Sequence, residues 1–169
     1  LHPHVNRFFL LSLDRSTRTL IKKINLRLCT HRPFEHIASK MNIGFRLEFE
    51  RSQIADRFEI DNTVKDEEVY NNLILLCENV LEPIRVHYGI PFSPNSGYRC
   101  LDLNRKLGSS DKSQHTRGQA CDIEIPTVSN YELGIWIRDN VECDTVLLEF
   151  YKEDVPSSGW VHCSYSKEE

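Results

Sequence analysis

Between Asp66 and Tyr88, apolar positions recur at intervals of three and four: Val69, Leu73, Leu76, Val80, Ile84 and, at the end, His87. That spacing predicts a helix with one buried stripe. Asp66, Glu67 and Glu68 suit its positive N-terminal end, Pro83 predicts a bend, and Gly89 predicts its stop. Upstream, Phe45 to Ile60 predicts a short helical stretch with Leu47, Phe49 and Ile54 as its apolar points. Asp61-Asn62-Thr63 follows as a turn and capping cluster. Downstream, Pro91 to Tyr98 reads as a strand or extended turn, and Leu101 to Leu107 as a short helix closed by Gly108. Gly108 to Gly118 is polar and reads as a flexible loop with His115 near its end. Gln119 to Ile125 alternates with period two, placing Ala120, Asp122 and Glu124 on one face and Cys121, Ile123 and Ile125 on the other. Ser129-x-x-Glu132 has the pattern of a capping box and predicts a helix through Ile137. Asp144 to Tyr151 and Trp160 to Tyr165 predict two more strands, with Trp160, His162 and Ser164 facing one way. Helices first and antiparallel strands later predict an α+β fold, a small antiparallel sheet packed against N-terminal helices.

Charge divides the chain. Residues 1–40 carry a net +6 and residues 41–169 a net −10, and the sole methionine, Met41, stands at the change. The expected organisation is a basic segment over 1–40, either an arm or sequence upstream of the natural start, and one domain over 41–169. The 169 residues suffice for one real core. An acidic body argues against non-specific nucleic-acid binding. No apolar run approaches the roughly 20 residues of a membrane span. Phe8-Phe9-Leu10-Leu11 is too short for a secretory signal, so membrane insertion and self-directed export are not expected. Nothing in the pattern demands a dimer, and a monomer is expected. Six cysteines occur without a C-x-x-C pair, and free, mostly buried thiols are expected.

The candidate chemistry lies in His115, Asp122 and His162. Taken singly, a histidine is more often an ordinary surface or core residue. Two imidazoles and a carboxylate together are a usual ligand set for a catalytic zinc, which keeps its fourth position for water. A loop-to-strand junction could carry His115, the strand Asp122 and a partner strand His162, with Gly118 letting the chain turn close to the metal. Cys121 and Cys163 flank two of these residues, but strand alternation turns both into the core, which argues against a cysteine nucleophile.

Ser113-x-His115-x-x-Gly118-x-Ala120-x-Asp122, followed by Trp160-x-His162, resembles the zinc D-Ala-D-Ala carboxypeptidase and murein endopeptidase family, whose fold is shared with the hedgehog signalling domain. The block Asn95-Ser96-Gly97-Tyr98-Arg99-Cys100-Leu101-Asp102-Leu103-Asn104 resembles that family's Ser-Gly-Tyr-Arg…Leu-Asn block. Within the family the chain is most similar to the short phage and prophage peptidases, in Glu50 to Arg57 and in Asn72 to Arg85. The resemblance spans roughly Phe45 to Tyr165 and does not reach residues 1–40.

The resemblance implies that His115, Asp122 and His162 bind Zn2+ and that the substrate is the stem peptide of peptidoglycan. It implies that Arg99 holds substrate and steadies charge on the scissile carbonyl oxygen. The alternative for Arg99 is a structural bridge to the helix that starts at 66. Ser113 and Tyr98 are expected at the substrate, with Ser113 otherwise orienting the site or capping its loop. Many relatives carry a Glu three residues before the last His ligand, where this chain has Gly159. Glu149, on the preceding strand, is therefore the expected general base, with Asp144 in reserve. Its alternative is an ordinary solvated edge carboxylate. Trp160 and Tyr165 are expected in the core, with packing of the site wall or stacking on glycan as the alternatives. The function implied is a zinc peptidase acting on the bacterial wall, as carboxypeptidase or endopeptidase, held in the cytoplasm until release. The alternative is a zinc-containing module that binds wall or partner without cutting.

Overall fold

The computed structural model describes residues 9–10 and 43–166. The expectations for residues 1–40 lie outside the described residues, apart from Phe9 and Leu10. In chain order the elements are β1 (Phe9–Leu10), α1 (Ile43–Glu50), α2 (Gln53–Arg57), α3 (Glu67–Leu76), a π-helical turn (Cys77–Leu81), α4 (Glu82–Tyr88) and α5 (Leu101–Lys106). A 3-10 turn (Gln114–Arg117), β2 (Ala120–Ile123), α6 (Asn130–Asn140), β3 (Thr145–Glu149) and β4 (Trp160–Ser164) follow. The fold is α+β, as the pattern predicts. The strands form one antiparallel sheet in the order β1-β3-β4-β2.

The long apolar stripe packs on one face of this sheet. Leu73, Leu76, Val80, Leu81 and Ile84 share a core with Cys121, Ile123, Val146, Leu148, Val161 and Cys163, and Leu133 and Ile137 of α6 join it. These strand residues occupy alternate positions, so the residues between them form the opposite face, where the site lies. The stripe is shorter than its pattern: His87 is exposed, stacked on Trp136 at 4.1 Å, and Leu47 is exposed too. Of the described side chains of α1, Phe49 is fully buried.

One local expectation is corrected, and one is given its local form. Proline has no N–H to give and crowds the carbonyl four residues back. The helical run accommodates Pro83 through a π-helical turn just before it, where Glu82 N–H donates to Cys77 five residues earlier. Ser129 does cap α6, but its side chain makes no cap hydrogen bond, so the capping box is not formed. Among the described residues no helix is long and apolar enough to cross a membrane. The five cysteines among them are free, four of them buried.

Candidate metal centre

Sheet register brings two of the three expected ligands together. Asp122 of β2 lies opposite His162 of β4, which lies opposite Leu147 of β3. Directly opposed residues project from the same face. The edge of β2 is extended by the loop before α5: Asp122 N–H donates to Ser96 at 2.8 Å, and Asn95 N–H donates to the Asp122 carbonyl at 2.8 Å.

His115 arrives from the 3-10 turn, so the segment read as a flexible loop is ordered at the point that matters. The residue is 3% exposed. The Ser113 hydroxyl accepts from His115 N–H at 3.4 Å at the start of the turn, which gives Ser113 an orienting contact. Gly118 ends the turn at φ +68°, and a Cβ there would stand 2.5 Å from the Val69 carbonyl oxygen. Its glycine is required by the close approach of α3 rather than by the metal.

The three donor atoms converge. His115 Nε2 is 3.3 Å from His162 Nδ1 and 3.4 Å from Asp122 Oδ1, and His162 Nδ1 is 2.8 Å from Asp122 Oδ1. A tetrahedral zinc with bonds of about 2.0–2.1 Å sets its ligands roughly 3.3–3.4 Å apart. Two of the three separations already have that value, and the third is shortened by a hydrogen bond. The residues present therefore fit the metal.

Protonation is set from outside the trio. His115 Nδ1 donates to the Gly97 carbonyl at 2.7 Å. A carbonyl only accepts, so Nδ1 carries the hydrogen and Nε2 presents a lone pair to the centre. His162 Nδ1 then donates to Asp122 in the metal-free arrangement. Burial pushes the Asp122 carboxyl up, but the two imidazoles beside it, His115 and His162, outweigh this and hold it below the ordinary carboxylate range.

Arg99 joins the cluster. Its Nη2 donates to Asp122 Oδ2 at 2.8 Å and reaches His115 Nε2 at 3.1 Å, and its Nε donates to Ser96 Oγ at 3.0 Å. It bridges to β2 and the loop rather than to α3. The loop that carries it is clamped by Asn62, whose place in a turn cluster gives no local sign of this role. Asn62 Nδ2 donates to the carbonyls of Glu50 at 2.8 Å and Tyr98 at 3.0 Å, and its Oδ1 accepts from Cys100 N–H at 2.7 Å. Tyr98 N–H donates to the Phe49 carbonyl at 2.9 Å. Gly97 fits beneath because it lacks a side chain; a Cβ would meet Phe49 Cδ1 at 2.7 Å. The ring and backbone of Tyr98 thus sit between the core and a groove of about 510 Å³, which Ile54, Arg99, Leu103 and Leu107 also line. A second groove of about 580 Å³, with Glu124, Thr127 and Ser157, shares Asn95 with the first. Neither is lined by the three donors themselves.

Glu149 lies two residues beyond Leu147 on β3, opposite Trp160, and so faces the same way as His162. Burial raises its carboxyl above the ordinary value and the Asp122 charge adds to that, while His162, His115 and Trp160 act the other way. Asp144 sits before the opposite end of β3, where its carboxylate accepts from Ser166 Oγ, and it is not brought to the centre. Gly159 explains the departure from the family pattern. It has φ +67°, and a Cβ there would lie 1.9 Å from the Glu149 carbonyl oxygen, so this loop has no room for a glutamate.

The chain matches a family model described as Peptidase M15 over residues 47–164. Comparison with curated proteins and with solved structures returns no significant match. The matched span contains the whole cluster from Asn62 to His162, and on that ground the chain belongs to the M15 family of zinc peptidases, the D-Ala-D-Ala carboxypeptidase-like group.

Proposed function

We propose that this protein hydrolyses peptide bonds in the stem peptides or cross-links of bacterial peptidoglycan, with zinc held by His115, Asp122 and His162. The observation that carries the reading is the convergence of three donor atoms at 2.8–3.4 Å with the His115 tautomer fixed by Gly97. Zinc in such a site supplies a water acidified towards neutrality and polarises the carbonyl under attack.

The chain's own groups complete the chemistry. Glu149, on the metal face and with raised proton affinity, accepts the proton from the attacking water and passes it to the leaving amine. Arg99 is locked through Nε and Nη2, and among the described residues its Nη1 is left to donate to the carbonyl oxygen as charge develops there. The groove beside Tyr98 and Arg99 receives the substrate chain. A lysis role in a phage or prophage, acting on the wall after release, belongs to the same reading.

The test is zinc content together with mass analysis of peptidoglycan digests, with His115→Ala alongside. About one zinc per chain and cleavage abolished by the substitution support the proposal. Loss of terminal D-Ala from stem peptides identifies a carboxypeptidase, and separation of cross-linked muropeptides an endopeptidase. Zinc without turnover favours the binding module, and absence of zinc overturns the ligand assignment.

A further inference from the structure

Three buried side-chain polar atoms among the described residues make no hydrogen bond of good geometry: Asn104 Oδ1, Trp160 Nε1 and Ser164 Oγ, although Trp160 stands near enough to Glu149 to draw its carboxyl down. Two belong to β4 and occupy the positions on either side of His162 on the metal face. The indole N–H is a donor only, and a buried donor without an acceptor calls for an explanation. Trp160 is also the direct cross-strand partner of Glu149.

The surrounding backbone holds this pair together. Phe150, next to Glu149, has φ +55°, and Gly159, next to Trp160, has φ +67°. Gly159 packs so closely on the Glu149 carbonyl that no side chain fits between. The Phe150 ring lies 4.9 Å from the Trp160 ring and limits how the indole can turn. We propose that Trp160 is a positioning residue: its Nε1–H closes onto the ionised Glu149 carboxylate and aims the other carboxylate oxygen at the metal face. The inference rests on Glu149 being the base. It replaces the expectation that Trp160 merely fills core or wall.

The chain has two tryptophans, and Trp136 is occupied by its stack with His87. A proton–nitrogen NMR spectrum of the zinc-loaded full chain therefore shows two indole signals, assigned with Trp136→Phe. Glu149→Gln should move the Trp160 indole proton upfield and leave the other in place; an unmoved signal overturns the proposal. This arm needs no turnover, so it can fail or succeed independently of the proposed activity. Kinetically, Trp160→Phe should lower kcat about tenfold with KM little changed. In the Glu149→Gln background the same substitution should have almost no effect, because its only route to the reaction is gone. Equal losses in both backgrounds would show a structural role and overturn the proposal.

Discussion

His115 Nδ1 lies 2.7 Å from the carbonyl oxygen of Gly97, eighteen residues earlier in the chain. This contact links the loop before α5 to the metal face, and it chooses which imidazole nitrogen faces the metal. The Gly97 carbonyl is in place because the glycine packs against Phe49 with no side chain between them.

Gly97→Ala tests that link. A methyl group would stand 2.7 Å from Phe49 Cδ1 and 2.9 Å from the Phe49 carbonyl oxygen, so the loop must move away from α1. Overpacking of this kind costs about 1–3 kcal/mol. The larger consequence is loss of the outer hydrogen bond to His115, which should weaken zinc binding by about 10–100-fold. Competition with a fluorescent zinc chelator measures this. Unchanged affinity would mean that the Gly97 carbonyl has no part in presenting His115.

Metal removal should be felt in stability. A ligand that binds only the folded chain stabilises it by about 2.7 kcal/mol at a concentration of 100 Kd. Chelation should therefore lower Tm by several degrees in the wild type and much less in Asp122→Ala or His162→Ala. Scanning calorimetry with and without chelator checks this. A Tm indifferent to chelator in the wild type would remove zinc from the account.

Much of this arrangement was legible because short-range pattern carries it. Period-two alternation puts Asp122 and His162 on the faces of two strands turned away from the apolar core, and antiparallel register makes them neighbours. What the pattern could not show is what comes from far along the chain. Asn62 looked like a turn residue because its three partners, at Glu50, Tyr98 and Cys100, are as many as 38 residues away. Gly97 looked like part of a motif, with nothing local to say that its carbonyl would matter. Segment 108–118 looked flexible because it is polar, whereas Ser113 and Gly118 close its end into a 3-10 turn. The π-helical turn before Pro83 is hidden for a related reason. Periodicity registers where proline is, and not the wider turn that accommodates it.

Asn62→Ala should damage activity through Arg99 without touching the metal ligands. It removes two donors and leaves the Cys100 N–H without its acceptor in a largely buried place. An unsatisfied group of this kind costs about 1–3 kcal/mol. Zinc content should stay near the wild-type value, while kcat falls because the guanidinium is no longer held. Urea denaturation together with steady-state kinetics checks both halves. A variant that is destabilised but keeps full kcat would show that the clamp supports the fold alone.

Glu149 offers a prediction whose sign can be worked out from its surroundings. Burial and the Asp122 charge raise its folded pKa above the ordinary glutamate value. The folded state therefore holds this proton more tightly than the unfolded chain does. That contribution to stability is fully present below the ordinary value and is lost as pH rises through the raised one. Gln at this position stays neutral throughout and escapes the loss. In metal-free protein, Glu149→Gln should thus gain stability relative to wild type as pH rises from about 4 to 7. The same variant should lose about 10²–10⁴ in kcat when zinc is restored, since general-base catalysis typically contributes that much. A carboxylate that is better absent for folding yet needed for turnover is one retained for chemistry. An ordinary edge carboxylate would show neither the pH-dependent gain nor the kinetic loss, and parallel denaturation curves with unchanged kcat would move the search for the base to another group.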